Sequence, residues 1–187
     1  MMNVFYLDEN PKICAMHHND KHCVKMILEY AQLLSTAHRV CDGVKVIIDI
    51  NNRKNTQYKL ADSRDDNIYK AAFVNHPSAI WVRKSKYNYM WLRMLWEDLL
   101  DEYHLRYGKY HAAEKLKRFL INHPTNISND KFTQPTCAMP DDCKISPNAL
   151  INYRIYYKKH KSHLAKWTAR GVPSWYNKGI NYDGYKH

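Results

Sequence analysis

Apolar and polar positions along the chain fall mostly into the three-to-four-residue rhythm of helices, interrupted by a few short extended stretches. Val4–Leu7 is a brief apolar opening, read as a buried extended lead-in. Asn10-Pro11 then starts a helix, with asparagine able to cap it and proline already set for its first turn. The helical pattern runs to about Cys41, with a second start signal at Asn19-Asp20, and Asp42-Gly43 stops it. Val44–Ile50 is β-branched and short, and the polar Asn51–Gln57 follows, so a strand or hairpin fragment and then a mobile loop are expected. Asn67–Phe73 reads as a short helix. The longest helical pattern runs from Ser78 or Lys84 to Tyr107, with Trp91, Leu92, Leu95, Leu99 and Tyr103 in register and Gly108 closing it. A helix over Tyr110–Ile121 and an ordered loop over residues 124–146 come next. Pro147 opens a last helix to about Ala169, which Gly171 and Pro173 break. The tail, 174–187, is too aromatic to read as plain disorder. The expected fold is mainly α: one domain over 1–187, a helical bundle with a short hairpin insertion around 44–58.

Composition narrows the function classes. At 187 residues and 45% apolar the chain is long enough for one sizeable core. No apolar run reaches the ~20 residues of a membrane span and no secretion leader opens the chain, so a cytoplasmic protein without a membrane partner is expected. Five cysteines without framework spacing read as reduced thiols. Cys137 and Cys143 lack a second cysteine pair, and zinc there is disfavoured. The charge says more. Lys and Arg number 29 against 18 Asp and Glu, a net +11 that points to a polyanionic partner. The excess is concentrated: residues 151–187 hold eight Lys or Arg and one acid, Asp183, interleaved with eight aromatics. Arg154, Lys158, Lys159, Lys161, Lys166, Arg170 and Lys178 are candidates for phosphate contacts, and Trp175 and Tyr176 for base stacking. The alternative is a solvated basic helix with a core-facing aromatic stripe.

The first helix carries the sharpest chemical signal. At helical spacing His18, His22, Lys25, Glu29, Gln32 and Thr36 share a narrow arc, with Val24, Ile27, Leu28, Ala31 and Leu34 largely opposite. Such a face either meets water or holds a substrate and moves protons. Glu29 is suited to abstracting a proton, stabilising a cation, or pairing with Lys25 one turn earlier. A lysine stripped of water among other cations becomes a nucleophile. His18 and His22 have chelating spacing, but Asn19 stands where a zinc protease has glutamate, and a metal is disfavoured. Asp98, Asp101 and Glu102 form an acidic cluster read as a solvated face or a partner for the basic tail. His76-Pro77 and His123-Pro124 read as turn and packing features. Phosphate-loop, dinucleotide and serine-hydrolase signatures are absent, and no cofactor is called for.

Asp20-Lys21-His22 followed by Glu29 resembles the phage-type pyrimidine-dimer DNA glycosylases (endonuclease V type), which carry Asp-x-His on the first long helix and a catalytic Glu seven residues after the His. Lys144-Ile145-Ser146-Pro147, then Pro173, Trp175-Tyr176 and Lys178, resemble that family's Lys-Ile-Ser-Pro helix start and Trp-Tyr-Lys-Tyr tail. The likeness covers about a third of the chain and none of 42–125. It implies an all-α domain that kinks double-stranded DNA, flips a nucleotide and cleaves at the sugar through an amine. Glu29 would take the Glu role, His22 would approach sugar or phosphate, and Trp175, Tyr176 and Lys178 would grip DNA. Departures limit the carry-over. The family uses the amine of a processed N-terminal Thr, where this chain reads Met1-Met2-Asn3, and Leu28 and Gln32 replace arginines flanking the family's Glu. Lys25 or Lys21 is then the substitute amine, or glycosidic cleavage is lost. Two other functions stay open. One is a base-modifying transferase on the same fold, taking a small amine as co-substrate. The other is a non-enzymatic binder of nucleic acid or a host protein.

Overall fold

The computed structural model describes residues 2–50 and 53–177, and it is mainly helical with one small hairpin. Helix α1 spans Pro11–His17 and α2 spans Asp20–Asp42. Asn10 caps the first, its Oδ1 accepting from the Lys12 and Ile13 amides, and Asn19 caps the second, its Oδ1 accepting from the His22 amide at 2.9 Å. The two asparagines explain why one apolar rhythm yields two helices, with His18 as the joint between them. Gly43 closes α2, and a Cβ there would run into the Arg39 carbonyl oxygen.

The insertion is a true hairpin. Strands β1 (Val44–Ile50) and β2 (Arg53–Lys59) pair antiparallel, from Val44 opposite Lys59 to Ile50 opposite Arg53. Most of the polar stretch expected to be a mobile loop is therefore a paired strand, its backbone bonded to β1; residues 51 and 52 lie outside the described residues. The short helix expected over Asn67–Phe73 lies earlier, as α3 (Arg64–Asn67). The buried Arg39 guanidinium draws the carbonyls of Tyr58, Asp65, Ile68 and Tyr69 onto itself, which holds the chain after α3 away from helix.

The longest pattern divides in two, α4 (Pro77–Lys84) and α5 (Lys86–Tyr107). Ser85 is the break: its backbone is extended, its Oγ accepts from the Tyr87 and Asn88 amides, and it donates to the Asp130 carbonyl at 2.8 Å. Gly108 ends α5 in the left-handed conformation, φ 63°, that glycine tolerates. The helix expected over Tyr110–Ile121 is a 3-10 turn, Ala112–Leu116, running into a single α turn, α6 (Lys117–Leu120). Asn148, not Pro147, immediately precedes α7 (Ala149–His160) and caps it. That helix stops nine residues short of Ala169, because a 3-10 turn over Ser162–Leu164 bends the chain back and the Lys166 carbonyl accepts the Asp20 amide at 2.8 Å. A final turn, α8 (Ser174–Asn177), ends the described chain.

Helix α2 lies at the centre, packed on α4 and α5, while α1 packs on α5. The extended segment Met2–Leu7 is buried, and the buried apolar residues form one connected core. Indole N–H groups tie its layers: Trp96 donates to the Ile27 carbonyl at 3.0 Å and Trp91 to the Glu9 carbonyl at 2.8 Å. Among the described residues no helix is long and apolar enough to cross a membrane.

Candidate active site and nucleic-acid interface

The polar arc of the first helix does not survive intact, because the break at His18-Asn19 takes His18 out of it. The His18 ring is fully buried, its Nδ1 bonded to the Cys14 carbonyl at 2.8 Å and its Nε2 to the Tyr30 hydroxyl at 3.0 Å. Burial pushes its pKa down to about 3. Both ring nitrogens are occupied and the ring is neutral, so His18 is a core strut rather than a member of the site.

His22 stays on the arc. Its ring stacks on Phe5, centroids 4.3 Å apart, and Nδ1 lies 2.6 Å from the Tyr157 hydroxyl. Burial first, then electrostatic repulsion from the neighbouring cationic side chains, Lys161 and Lys25 among them, pushes its pKa down to about 2. The Tyr157 contact ties the ring to α7, and the lowered pKa keeps the imidazole neutral. His38, deeper in α2, is likewise held neutral, lowered to about 4 chiefly by burial.

These three imidazoles set an acid sensitivity. A histidine held neutral in the fold is protonated on unfolding below about 6.5, so stability declines as pH falls through that value. From pH 7.5 to 6 the three together cost roughly 2 kcal/mol, read as a falling midpoint in urea titrations with unchanged slope. A midpoint that does not move over this range contradicts their neutrality.

Two turns along α2 from His22 stands Glu29. Its Oε1 is 3.1 Å from Lys25 Nζ; the carboxylate side chain is only 12% exposed whereas the lysine is 60% exposed. The other oxygen, Oε2, is buried with no hydrogen-bond partner among the described residues. A buried acceptor left unpaired costs about 1–3 kcal/mol, and native structures keep few of them. His76, expected from the sequence to be a turn feature, lies within electrostatic reach of Glu29. His76 caps α4, its Nδ1 accepting from the Ser78 amide at 3.2 Å, and the Glu29 carboxylate raises its pKa against the larger lowering by burial. Ser78 Oγ in turn donates to the Met2 carbonyl at 2.9 Å. The start of the described chain is thus tied to the N-terminus of α4. Gln32, half-buried one turn further on, makes no hydrogen bond among the described residues. Thr36 is spent on Ala72, bonding both its amide and its carbonyl.

The basic C-terminal residues divide in the same way. Arg154 bonds the Leu7 carbonyl and Asp8 and lies over the Trp175 ring at 5.2 Å. Arg170 pairs with Glu102 at 2.6 Å, so the acidic cluster does meet the basic tail. Lys159 bonds the Asp142 carbonyl at 2.9 Å, and Lys158 is half-buried, burial lowering its pKa. Trp175 donates to His17 Nδ1 at 3.1 Å, and Tyr176 meets Trp167 edge-on at 5.0 Å. Both rings are part of a packed wall rather than splayed for stacking. Lys178 lies outside the described residues. Lys161, over the Tyr156 ring at 5.0 Å, and Lys25 both add to the positive field at His22. Lys166 and Lys21 line a cleft of about 490 Å³ with Asp20, Val24, Tyr107 and His163. His163 belongs to both the cleft and the field at His22, and nothing in the spacing of the sequence marked it out. His22, Glu29, Lys25 and Gln32 therefore share one face of α2, with Lys161 acting on His22, while Lys21 and Lys166 line the cleft on another side of the helix and His18, Arg154 and Arg170 are bound into the frame.

No family model matches the chain, and no curated protein or solved structure matches it.

Proposed function

We propose that this protein binds duplex DNA and acts on an extruded base or its sugar, in the manner of a glycosylase or lyase. The observation that carries the reading is the Glu29 carboxylate. It has one oxygen on Lys25 and the other buried with no partner among the described residues, on a helix face whose surroundings are positive. A carboxylate in that state is ready to take a proton or to face a developing sugar cation. Lys25, 3.1 Å away, is placed to serve as the attacking amine and to hand its proton to Glu29. The face around His22, in the positive field of Lys25 and Lys161, suits a phosphate oxygen.

A second reading, base modification with a small amine as co-substrate, is favoured by the cleft beside α2. Its volume of about 490 Å³ admits a small molecule, and its polar lining includes Asp20, Lys21, His163 and Lys166.

Both readings require a phosphate-contacting rim. Duplex affinity is expected to fall about 10³-fold or more between 50 and 200 mM salt. Reversing Lys21, Lys161 and Lys166 to Glu together should flatten that slope, each lost contact removing roughly 0.9 from it, as read by fluorescence anisotropy at several salt concentrations. Affinity that ignores salt, or a slope unchanged in the triple variant, removes the DNA reading.

A further inference from the structure

The irregular connection from 121 to 148 carries a 3-10 turn, Asp141–Cys143, packed against α7. Three side chains of different chemistry meet there. His160 Nε2, from the last turn of α7, is 3.2 and 3.1 Å from the two carboxylate oxygens of Asp142, and Cys143 Sγ is 3.6 Å from Asp142 Oδ1. One donor atom from each of the three lies within 4.8 Å of the other two. We propose that Asp142, Cys143 and His160 form a site for one zinc-class divalent cation, bound through the carboxylate, the thiolate and Nε2, with the fourth position left to water.

Spacing, chemistry and access each support this. Tetrahedral ligands about 2.0–2.3 Å from a metal stand roughly 3.3–3.7 Å apart, so the Asp142–His160 and Asp142–Cys143 separations need little adjustment. A sulfur, nitrogen and oxygen set favours zinc over magnesium or calcium, which take oxygen alone. Thiolate and carboxylate together balance the two positive charges, and the imidazole binds neutral. Asp142 and His160 are exposed and give an ion a way in, whereas Cys143 is fully buried. The sequence pattern that argued against zinc concerned Cys137 with Cys143; Cys137 is instead an acceptor for Asn152 Nδ2 at 3.4 Å. Lys159 Nζ stands 3.5 Å from Asp142 Oδ2 and competes for the same carboxylate. Burial, then Asp142, pushes the Cys143 thiol up to about 11, so binding displaces a proton. The ion would pin the connection that leads into Lys144–Pro147 to the end of α7.

The test uses the full chain, stripped with a chelator and titrated with zinc against a chromophoric competitor and with cobalt by absorption. One equivalent is expected, with the near-ultraviolet thiolate-to-cobalt band. Cys143→Ser should remove the band. His160→Ala, at an exposed position, should weaken binding about 100-fold or more, since even groups behind metal ligands are worth 10–100-fold. Lys159→Gln should tighten it roughly two- to fivefold by removing the competing charge. Failure to bind one equivalent, a band that persists in Cys143→Ser, or unaltered affinity in His160→Ala overturns the site, and weaker binding in Lys159→Gln overturns the competition assigned to that lysine. None of these outcomes depends on action upon DNA.

Discussion

Glu29→Gln is expected to lower turnover on duplex DNA by about 10²–10⁴-fold, the range that a positioned proton-transfer group contributes, while duplex affinity stays within about twofold. The asymmetry follows from where the two oxygens sit. Glutamine keeps the shape of the side chain and a carbonyl oxygen for Lys25, at 3.1 Å in the parent. It cannot accept a proton or offset a sugar cation, so only the chemical step suffers. Folding should not: the substitution replaces a buried carboxylate oxygen that has no partner among the described residues, and stability should stay level or rise. Substrates are ultraviolet-irradiated, abasic and hypermodified duplexes, with base release, strand nicking, new mass on the bases and borohydride-trapped adducts as readouts. An adduct lost in Lys25→Ala but kept in Glu29→Gln would name the lysine as the amine. Turnover undiminished in Glu29→Gln removes Glu29 from the chemistry. The binder alternative separates here too, since it expects no turnover at all and a larger loss from charge reversal at Lys161 than from any change at Glu29.

The helices were legible in proportion to how locally they are determined. Asn10-Pro11, Asn19-Asp20 and Gly108 are start and stop signals that act through neighbouring backbone groups, and helices begin or end at each of them. Errors arose where a distant group claimed the backbone. Ser85 splits the longest pattern because its hydroxyl also reaches Asp130, 45 residues on. Arg39 holds the chain after α3 open by taking four carbonyls from residues 58–69. The Arg39 contacts have no local signature, and the Ser85 cap is local while its bond to Asp130 is not. The site was half legible for the same reason. Helical spacing put His22, Lys25, Glu29 and Gln32 on one face, but extending the wheel through Asn19 wrongly added His18. Net charge located a basic end, yet charge alone could not tell Lys161, free of any ion pair among the described residues, from Arg170, which is paired with a buried acid. His76 and His163 reach the site only through tertiary packing, and no spacing in the sequence marks them.

That buried acid carries the largest structural prediction. Glu102, on α5, is 6% exposed and accepts from two arginines: Arg106 through Oε2 at 3.1 Å and Arg170 through Oε1 at 2.6 Å. Arg106 is fully buried and spends its remaining donors on the joint between α1 and α2, bonding the Met16 and His18 carbonyls and Asp20. Asp20 then holds Thr168 through its amide and its hydroxyl. One carboxylate thereby fixes the joint that aims His22 and the segment that brings Lys166 to the cleft. Glu102→Gln leaves Arg106 in a dry setting with only Asp20 to balance it. Removing one partner of a buried pair costs about 3–5 kcal/mol, and a chain of this size loses roughly 2–4 °C of Tm per kcal/mol, so a fall of about 6–20 °C is expected by calorimetry. Arg170→Gln, at a half-exposed position, should cost no more than about 1 kcal/mol, because solvent already screens its charge. Equal effects from the two substitutions would mean that the pair with Arg170, not the grip on the α1–α2 joint, is what Glu102 contributes. The unequal result would place the anchor at the joint, directly behind the helix face that carries His22 and Glu29.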